Sequence, residues 1–208
     1  HVGAEARGID LRRRIDAATL RRLEAALIDH VCLVIRDQRF TPAEYQAACE
    51  LFGELMEDQN RMYLVPGLPL VSVLSNRHRD SQGRPAKMAN NATWHTDHTN
   101  QERPPKYTCL YAVELPDSGG GTAVCNMRAA YEALPEEWRQ KLDGMRTANT
   151  LISSARMATA NPDIVAAQRK AEAGGNGPVE HPLVRTHPDR GTKAIWFHQA
   201  KTERILGM

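Results

Sequence analysis

No stretch of this chain is apolar enough to span a bilayer, which takes about 18 or more consecutive nonpolar side chains. The first residues, HVGAEARGIDLRRR, also lack the apolar core of a secretory leader, so a cytoplasmic protein is expected, with neither export nor membrane partner. Cysteine is sparse. Cys32, Cys49, Cys109 and Cys125 stand far apart and form no CxxC pair, which argues against a zinc knuckle or a disulfide framework and for buried thiols in a reducing compartment. One-sided charge is missing too: 27 Lys and Arg face 25 Asp and Glu, for a net charge of +2. A nucleic-acid partner would need a more concentrated basic face, and none is expected. There is no internal repeat and no low-complexity tract. What is present is 208 residues at 41% hydrophobic content, enough for one well-buried core, so a single domain over residues 1–208 is expected.

The N-terminal part is the most legible. TLRRLEAALIDH, residues 19–30, places leucine and alanine at helical spacing, with Asp16 or Thr19 as N-cap. VCLVIRD, 31–37, is a β-branched run suited to a buried strand. Thr41, Pro42 and Glu44 then form a capping box with proline at the first helical position, predicting a helix to about Leu51, before Gly53. Further on, LPLVSVLSN (68–76) and YTCLYAVELP (107–116) read as strands, and DSGGGTAVCNM (117–127) turns through three glycines into another. RAAYEALPEEWRQKLDGM is helical with a break near Pro135. Residues 155–178, rich in Ala, Gly, Asn and charge, read as a mobile insertion. HPLVRTHPDRGTKAIWFHQ reads as strand, turn at Asp189–Gly191, strand.

The chemistry concentrates in WHTDHTN, residues 94–100. In an extended segment side chains alternate faces, so His95 and Asp97 point the same way while Thr96 and His98 point the other. One imidazole and one carboxylate then converge, two-thirds of the 2-His-1-carboxylate facial triad that holds Fe(II) and leaves positions open. A histidine hydrogen-bonded to a neighbouring aspartate as a purely structural pair has the same spacing, and spacing does not decide between them. Just upstream, Arg77, His78, Arg79, Arg84 and Lys87 form a basic patch. It reads either as solvated surface or as a lid loop that attracts an anionic substrate.

WHTD with a following proline pair, ELPDSGGGT, MRAAYEALP and HPLVRTHPDRGTKAIW occur in that order, preceded by RGIDLRR and FGEL. In that order they resemble the TauD/TfdA family of Fe(II)- and 2-oxoglutarate-dependent dioxygenases, over nearly the whole chain. The resemblance implies a mainly β fold with flanking helices (α+β), built on a double-stranded β-helix, a cupin-like jelly roll. It implies Fe(II), 2-oxoglutarate as cosubstrate and dioxygen, with His95 and Asp97 as iron ligands and catalytic residues. Thr122, closing GGGT, matches a family position that hydrogen-bonds the 2-oxoglutarate carboxylate, and Asn91 matches an asparagine that touches the cosubstrate. The reaction implied is hydroxylation of an unactivated C–H bond with release of succinate and carbon dioxide. Related halogenases carry a small residue in place of the carboxylate, so Asp97 favours hydroxylation. The substrate implied is a small, acidic or polar organic molecule. Asp58 and Arg61 stand about where a sulfonate-using member has a histidine and a tyrosine, which argues against taurine. His98 is a further candidate to face the substrate.

In the family, the second histidine ligand and an arginine that clamps 2-oxoglutarate lie well downstream of the HPLVRTHP segment. The chain ends at Met208, before that region, and starts inside a family motif, so a truncated version of a longer protein is expected. His181 and His187 belong to a motif that is structural in the family, and His198 has no matching role. A catalytically silent binding or sensing module on the same fold is the alternative reading. Dimers or tetramers, as homo-oligomers, would be unsurprising in such a family.

Overall fold

The structure is a computed structural model that describes residues 2–57, 63–85 and 93–208. Backbone contacts group the chain into two compact units: residues 1–73 with 107–126, and residues 74–106 with 127–208. Asp58, Arg61, Lys87 and Asn91 lie outside the described residues.

The first unit opens as strand, helix, strand. β1 (Ala4–Ala6) pairs in parallel with β2 (Leu33–Ile35), and α1 (Ala17–His30) makes the crossover. Asp16 caps α1 by accepting from the backbone N–H groups of Ala18 and Thr19, a contact of a kind that contributes about 1 kcal/mol, and Leu23 is the buried residue of its apolar stripe. α2 (Pro42–Glu50) carries the predicted capping box in full: Glu44 N–H donates to Thr41 Oγ1, and the Glu44 carboxylate accepts from Thr41 N–H at 2.7 Å. β3 (Leu64–Val65) and β4 (Leu68–Ser72) form an antiparallel pair, with Val71 of β4 and the adjacent Tyr63 buried.

The second unit contains the larger sheet. β5 (Arg146–Asn149) lies between β6 (Val179–Pro182) and β9 (Thr202–Leu206), antiparallel to both. β7 (Val184–Thr186) and β8 (Lys193–Ile195) form the hairpin expected around the Asp189–Gly191 turn. α3 (Met127–Glu132) packs on β8, and α4 (Glu136–Asp143) starts after Pro135, where the helical pattern breaks. Met145, Ala148, Leu183 and Val184 make the apolar core, interleaved with the buried polar residues Thr147, Asn149 and His181.

Several expectations need correcting. Among the described residues the strands form four small sheets and no closed barrel, and helices hold more residues than strands. The segments 107–116 and 117–127, read from sequence as strands, are not strands here. A strand is defined by its ladder, and β-branched or aromatic composition alone does not supply the partner. Instead, the 107–116 segment is tethered to α2 by side chains: the Tyr45 hydroxyl donates to the Cys109 carbonyl at 2.8 Å, and Phe40 N–H donates to the Tyr111 hydroxyl at 3.1 Å. Only Leu68–Ser72 of the 68–76 stretch is paired. Residues 155–178 are not a structureless loop. They hold a 3-10 helix (Ser154–Thr159) and α5 (Pro162–Ala173), capped by Asn161 and anchored by the buried Gln168, which accepts from Leu151 N–H. The cysteines are not buried: Cys109 is exposed and the other three are half-buried. Among the described residues no helix is long and apolar enough to cross a membrane.

Candidate metal centre

His95 sits in an isolated antiparallel bridge with His198, and Asp97–Asn100 turn directly after it. The bridge is continued by Thr96 N–H, which donates to the Phe197 carbonyl at 3.4 Å. The residue after Asp97, His98, has left-handed backbone (φ 53°), so the chain reverses sharply there. Just before it the His95 and Asp97 side chains lie together: His95 Nε2 is 3.5 Å from Asp97 Oδ1.

The hydrogen-bond chemistry of this pair is informative. His95 Nδ1 is 2.8 Å from the Thr93 carbonyl, an atom that only accepts, so Nδ1 carries the hydrogen. In the neutral ring Nε2 then presents a lone pair, aimed at a carboxylate oxygen that also carries lone pairs. A proton or a cation between the two relieves their opposition. A backbone carbonyl that fixes the tautomer and leaves Nε2 for the metal is the usual support of a ligating histidine, so these residues fit a divalent metal. Both side chains are a little over one-third exposed, so the position is open to an incoming ion and its other ligands.

His198 was not assigned a role from the sequence, yet the fold brings it against His95, with ring centroids 4.8 Å apart and planes inclined at 33°. Its Nδ1 accepts from Ala200 N–H at 3.1 Å, which leaves the hydrogen on Nε2 and makes it a donor as placed, not a ligand. Burial, with the nearby Lys201 and His95 adding to it, pulls its pKa down to about 3, so the ring stays neutral. Among the described residues no group of three His, Cys, Asp or Glu side chains is arranged to hold a metal. Among the described residues, His95 and Asp97 are the candidate donors that this stretch brings together.

The loop that carries these donors is braced from the second unit's own sheet. Lys201 Nζ donates to Asn100 Oδ1 at 2.8 Å, and His181 Nε2 donates to the Gln101 carbonyl at 2.8 Å. His181 is buried, edge-on to Trp196, whose ring also has the Arg185 guanidinium 4.6 Å from its centroid. His187 accepts from Asp189 N–H within the hairpin turn. Burial lowers the pKa of both His181 and His187 from the ordinary histidine value. Below about pH 6.5 the unfolded chain then binds more protons than the folded one, so stability is constant above that pH and falls as pH drops through it. The slope is at most about 1.4 kcal/mol per pH unit for each histidine. Unfolding of metal-free protein by urea at pH 7.5 and 5.5 is expected to show this loss, and His181→Gln is expected to reduce it. An identical pH dependence in the variant would remove His181 from the account.

Of the other candidate residues, Thr122 is exposed and belongs to the first unit. Gly119 and Gly120 precede it with φ of 75° and 69°, and a Cβ on Gly120 would come 3.0 Å from Pro116 Cγ, so glycine is required for the turn. In the basic patch, Arg84 pairs with the buried Asp80 at 3.0 Å, which makes it part of a loop staple.

A family model described as taurine catabolism dioxygenase TauD, TfdA family, matches residues 1–208. The chain belongs to the TauD/TfdA family. Among its relatives are an alpha-ketoglutarate-dependent 2,4-dichlorophenoxyacetate dioxygenase of Cupriavidus pinatubonensis, 32% identical over 96% of this chain and 71% of that protein. An alpha-ketoglutarate-dependent sulfate ester dioxygenase of Pseudomonas putida is 34% identical over 93% of this chain and 62% of that protein. The chain thus spans roughly two-thirds of the length of these relatives. Two solved structures share the fold over all of this chain at 24% identity: AAD-2 in complex with Mn(II) and N-oxalylglycine (TM-score 0.76, 73% of that chain) and a taurine dioxygenase from Burkholderia xenovorans (TM-score 0.67, 64% of that chain). The chain thus shares the fold of these two structures over its whole length. The order of motifs ending in HPLVRTHP, not any single spacing, was the signal that found it.

Proposed function

We propose that the protein is a non-haem Fe(II)- and 2-oxoglutarate-dependent dioxygenase that hydroxylates an unactivated C–H bond of a small, acidic or polar organic molecule, releasing succinate and carbon dioxide. The observation that carries this reading is the lone pair of His95 Nε2 held 3.5 Å from Asp97 Oδ1 by the Thr93 carbonyl, in a chain of a dioxygenase family. His95 and Asp97 would hold the iron. Bound iron supplies the redox chemistry that couples decarboxylation of 2-oxoglutarate to activation of dioxygen. The double-stranded β-helix belongs to the same proposal, supported by the likeness to AAD-2.

The chain's own residues set the geometry. Thr93 fixes the tautomer and orientation of His95. The neutral His198 ring covers one face of His95 and limits water there without adding charge. The Thr122 hydroxyl donates to a carboxylate of 2-oxoglutarate, after a turn that Gly120 keeps tight, and Asn91 is a second cosubstrate contact. His98, Asp58 and Arg61 are the residues proposed to meet the substrate. The relatives named for 2,4-dichlorophenoxyacetate and sulfate esters support an anionic organic substrate.

The test is anaerobic titration of the protein at its full natural length with Fe(II) and 2-oxoglutarate, followed by the weak visible charge-transfer band of the chelate. The band is expected, and its absence would leave the silent binding module as the better reading. Thr122→Ala is expected to raise the 2-oxoglutarate concentration at half-saturation by roughly tenfold, the value of one hydrogen bond to a charged group. An unchanged requirement would return Thr122 to the scaffold.

A further inference from the structure

We propose that Cys49 and Cys109 are a redox-responsive thiol pair that closes to a disulfide when the protein meets peroxide. The two lie sixty residues apart in sequence, and α2 brings them together. Tyr45 and Cys49 are one turn apart on the same face of α2. The segment 109–111 is laid along that face: the Tyr45 hydroxyl donates to the Cys109 carbonyl at 2.8 Å, and the Tyr45 and Tyr111 rings stack with centroids 5.7 Å apart. In this frame the thiols of Cys49 and Cys109 lie close enough to shift one another's pKa. Both are free, Cys109 is exposed and Cys49 is half-buried beside it. This is the arrangement of a sensor thiol with a resolving partner, in which an accessible sulfur reacts first and a neighbour within reach completes the bond.

Exposure assigns the roles: Cys109 is exposed and Cys49 half-buried, so Cys109 is the sulfur that meets peroxide first. Their proximity acts in the same direction, raising the pKa of Cys49 and lowering that of Cys109. The Cys109 thiolate attacks one oxygen of hydrogen peroxide: an S–O bond forms, the O–O bond breaks, and the departing hydroxide leaves as water, giving a sulfenic acid. The Cys49 sulfur then attacks the Cys109 sulfur: an S–S bond forms, the S–O bond breaks, and hydroxide takes the Cys49 proton as a second water. Two thiols are oxidised and one peroxide is reduced to two waters. The disulfide would tie α2 to the segment that leads into the glycine turn before Thr122.

The experiment uses the wild-type chain with a chelator and one equivalent of hydrogen peroxide. Thiol titration in denaturant is expected to find two of the four cysteines lost and restored by dithiothreitol. Digestion with trypsin and a glutamate-specific protease, which cuts after Glu114 and so parts Cys109 from Cys125, is expected to yield one intramolecular cross-link, Cys49 to Cys109. In Cys49→Ser, Cys109 is expected to stop at the sulfenic acid and to be trapped there by dimedone. A cross-link through Cys32 or Cys125, a disulfide between molecules, or four surviving thiols would overturn the proposal. Peptide mapping of the wild type decides the matter even where a serine variant fails to fold.

Discussion

Alanine at either His95 or Asp97 is expected to lower 2-oxoglutarate-dependent succinate formation by more than about 100-fold, a loss that substitutions merely supporting a ligand already approach. The fold is expected to survive. Both side chains are more than one-third exposed, so removing either takes little from the packing of the metal-free protein. The readout that separates a metal centre from a structural pair is the response of thermal stability to metal. A ligand at about 100 times its Kd stabilises the folded state by about 2.7 kcal/mol. Wild-type protein is therefore expected to melt several degrees higher with excess Mn(II), and both variants to lose that rise. A structural His–Asp pair gives the opposite pattern: a lower melting temperature in the variants, and the same metal response in all three proteins. Either half of that pattern would sink the assignment of these residues to iron.

What could be read from sequence in this chain is what is local. Asp16 and Thr41 reach backbone groups two or three residues away, so their caps are visible without any fold, and both are present. His95 and Asp97 are two residues apart on one extended stretch, and their convergence needs only strand geometry. The Asn161, Pro162 and Asp163 start of α5 carries an equally local cap signal, which the Ala- and Gly-rich composition after it obscured. The rest depends on pairing across long separations. His198 meets His95 through a bridge spanning about half the chain, and Cys109 meets Cys49 through an aromatic cluster on α2. The 107–116 segment has the composition of a strand but no ladder, because a ladder is a property of two segments and only one was in view. The candidate donors are accordingly legible in the sequence, and the residues packed around them are not.

Replacing Asn149 is expected to be the most damaging single change to stability. It lies in the middle strand of the second unit's main sheet with 1% of its surface exposed, where an amide is tolerated only because its polar atoms are satisfied. Its Nδ2 donates to Thr147 Oγ1 at 3.0 Å and to the carbonyls of Thr147 and Val179 at 3.2 Å, and its Oδ1 accepts from Thr202 Oγ1 at 3.0 Å. Removing the amide orphans buried partners on β5, β6 and β9 together. At about 1–3 kcal/mol for each unsatisfied group, Asn149→Ala is expected to cost about 3–5 kcal/mol in urea unfolding. Asn149→Leu keeps the volume and loses the hydrogen bonds, so it is expected to be nearly as damaging; a leucine variant of native stability would show that packing, not the network, holds the sheet. The consequence reaches the candidate metal centre through Thr202. Its hydroxyl also accepts from His198 N–H at 3.4 Å, and the His198 carbonyl accepts from Thr202 N–H at 2.8 Å, closing the loop that lies against His95. A folded fraction of either Asn149 variant is therefore expected to bind Mn(II) more weakly than wild type, although Asn149 touches neither donor. The sheet thus shapes the site by fixing the loop on which His198 stands.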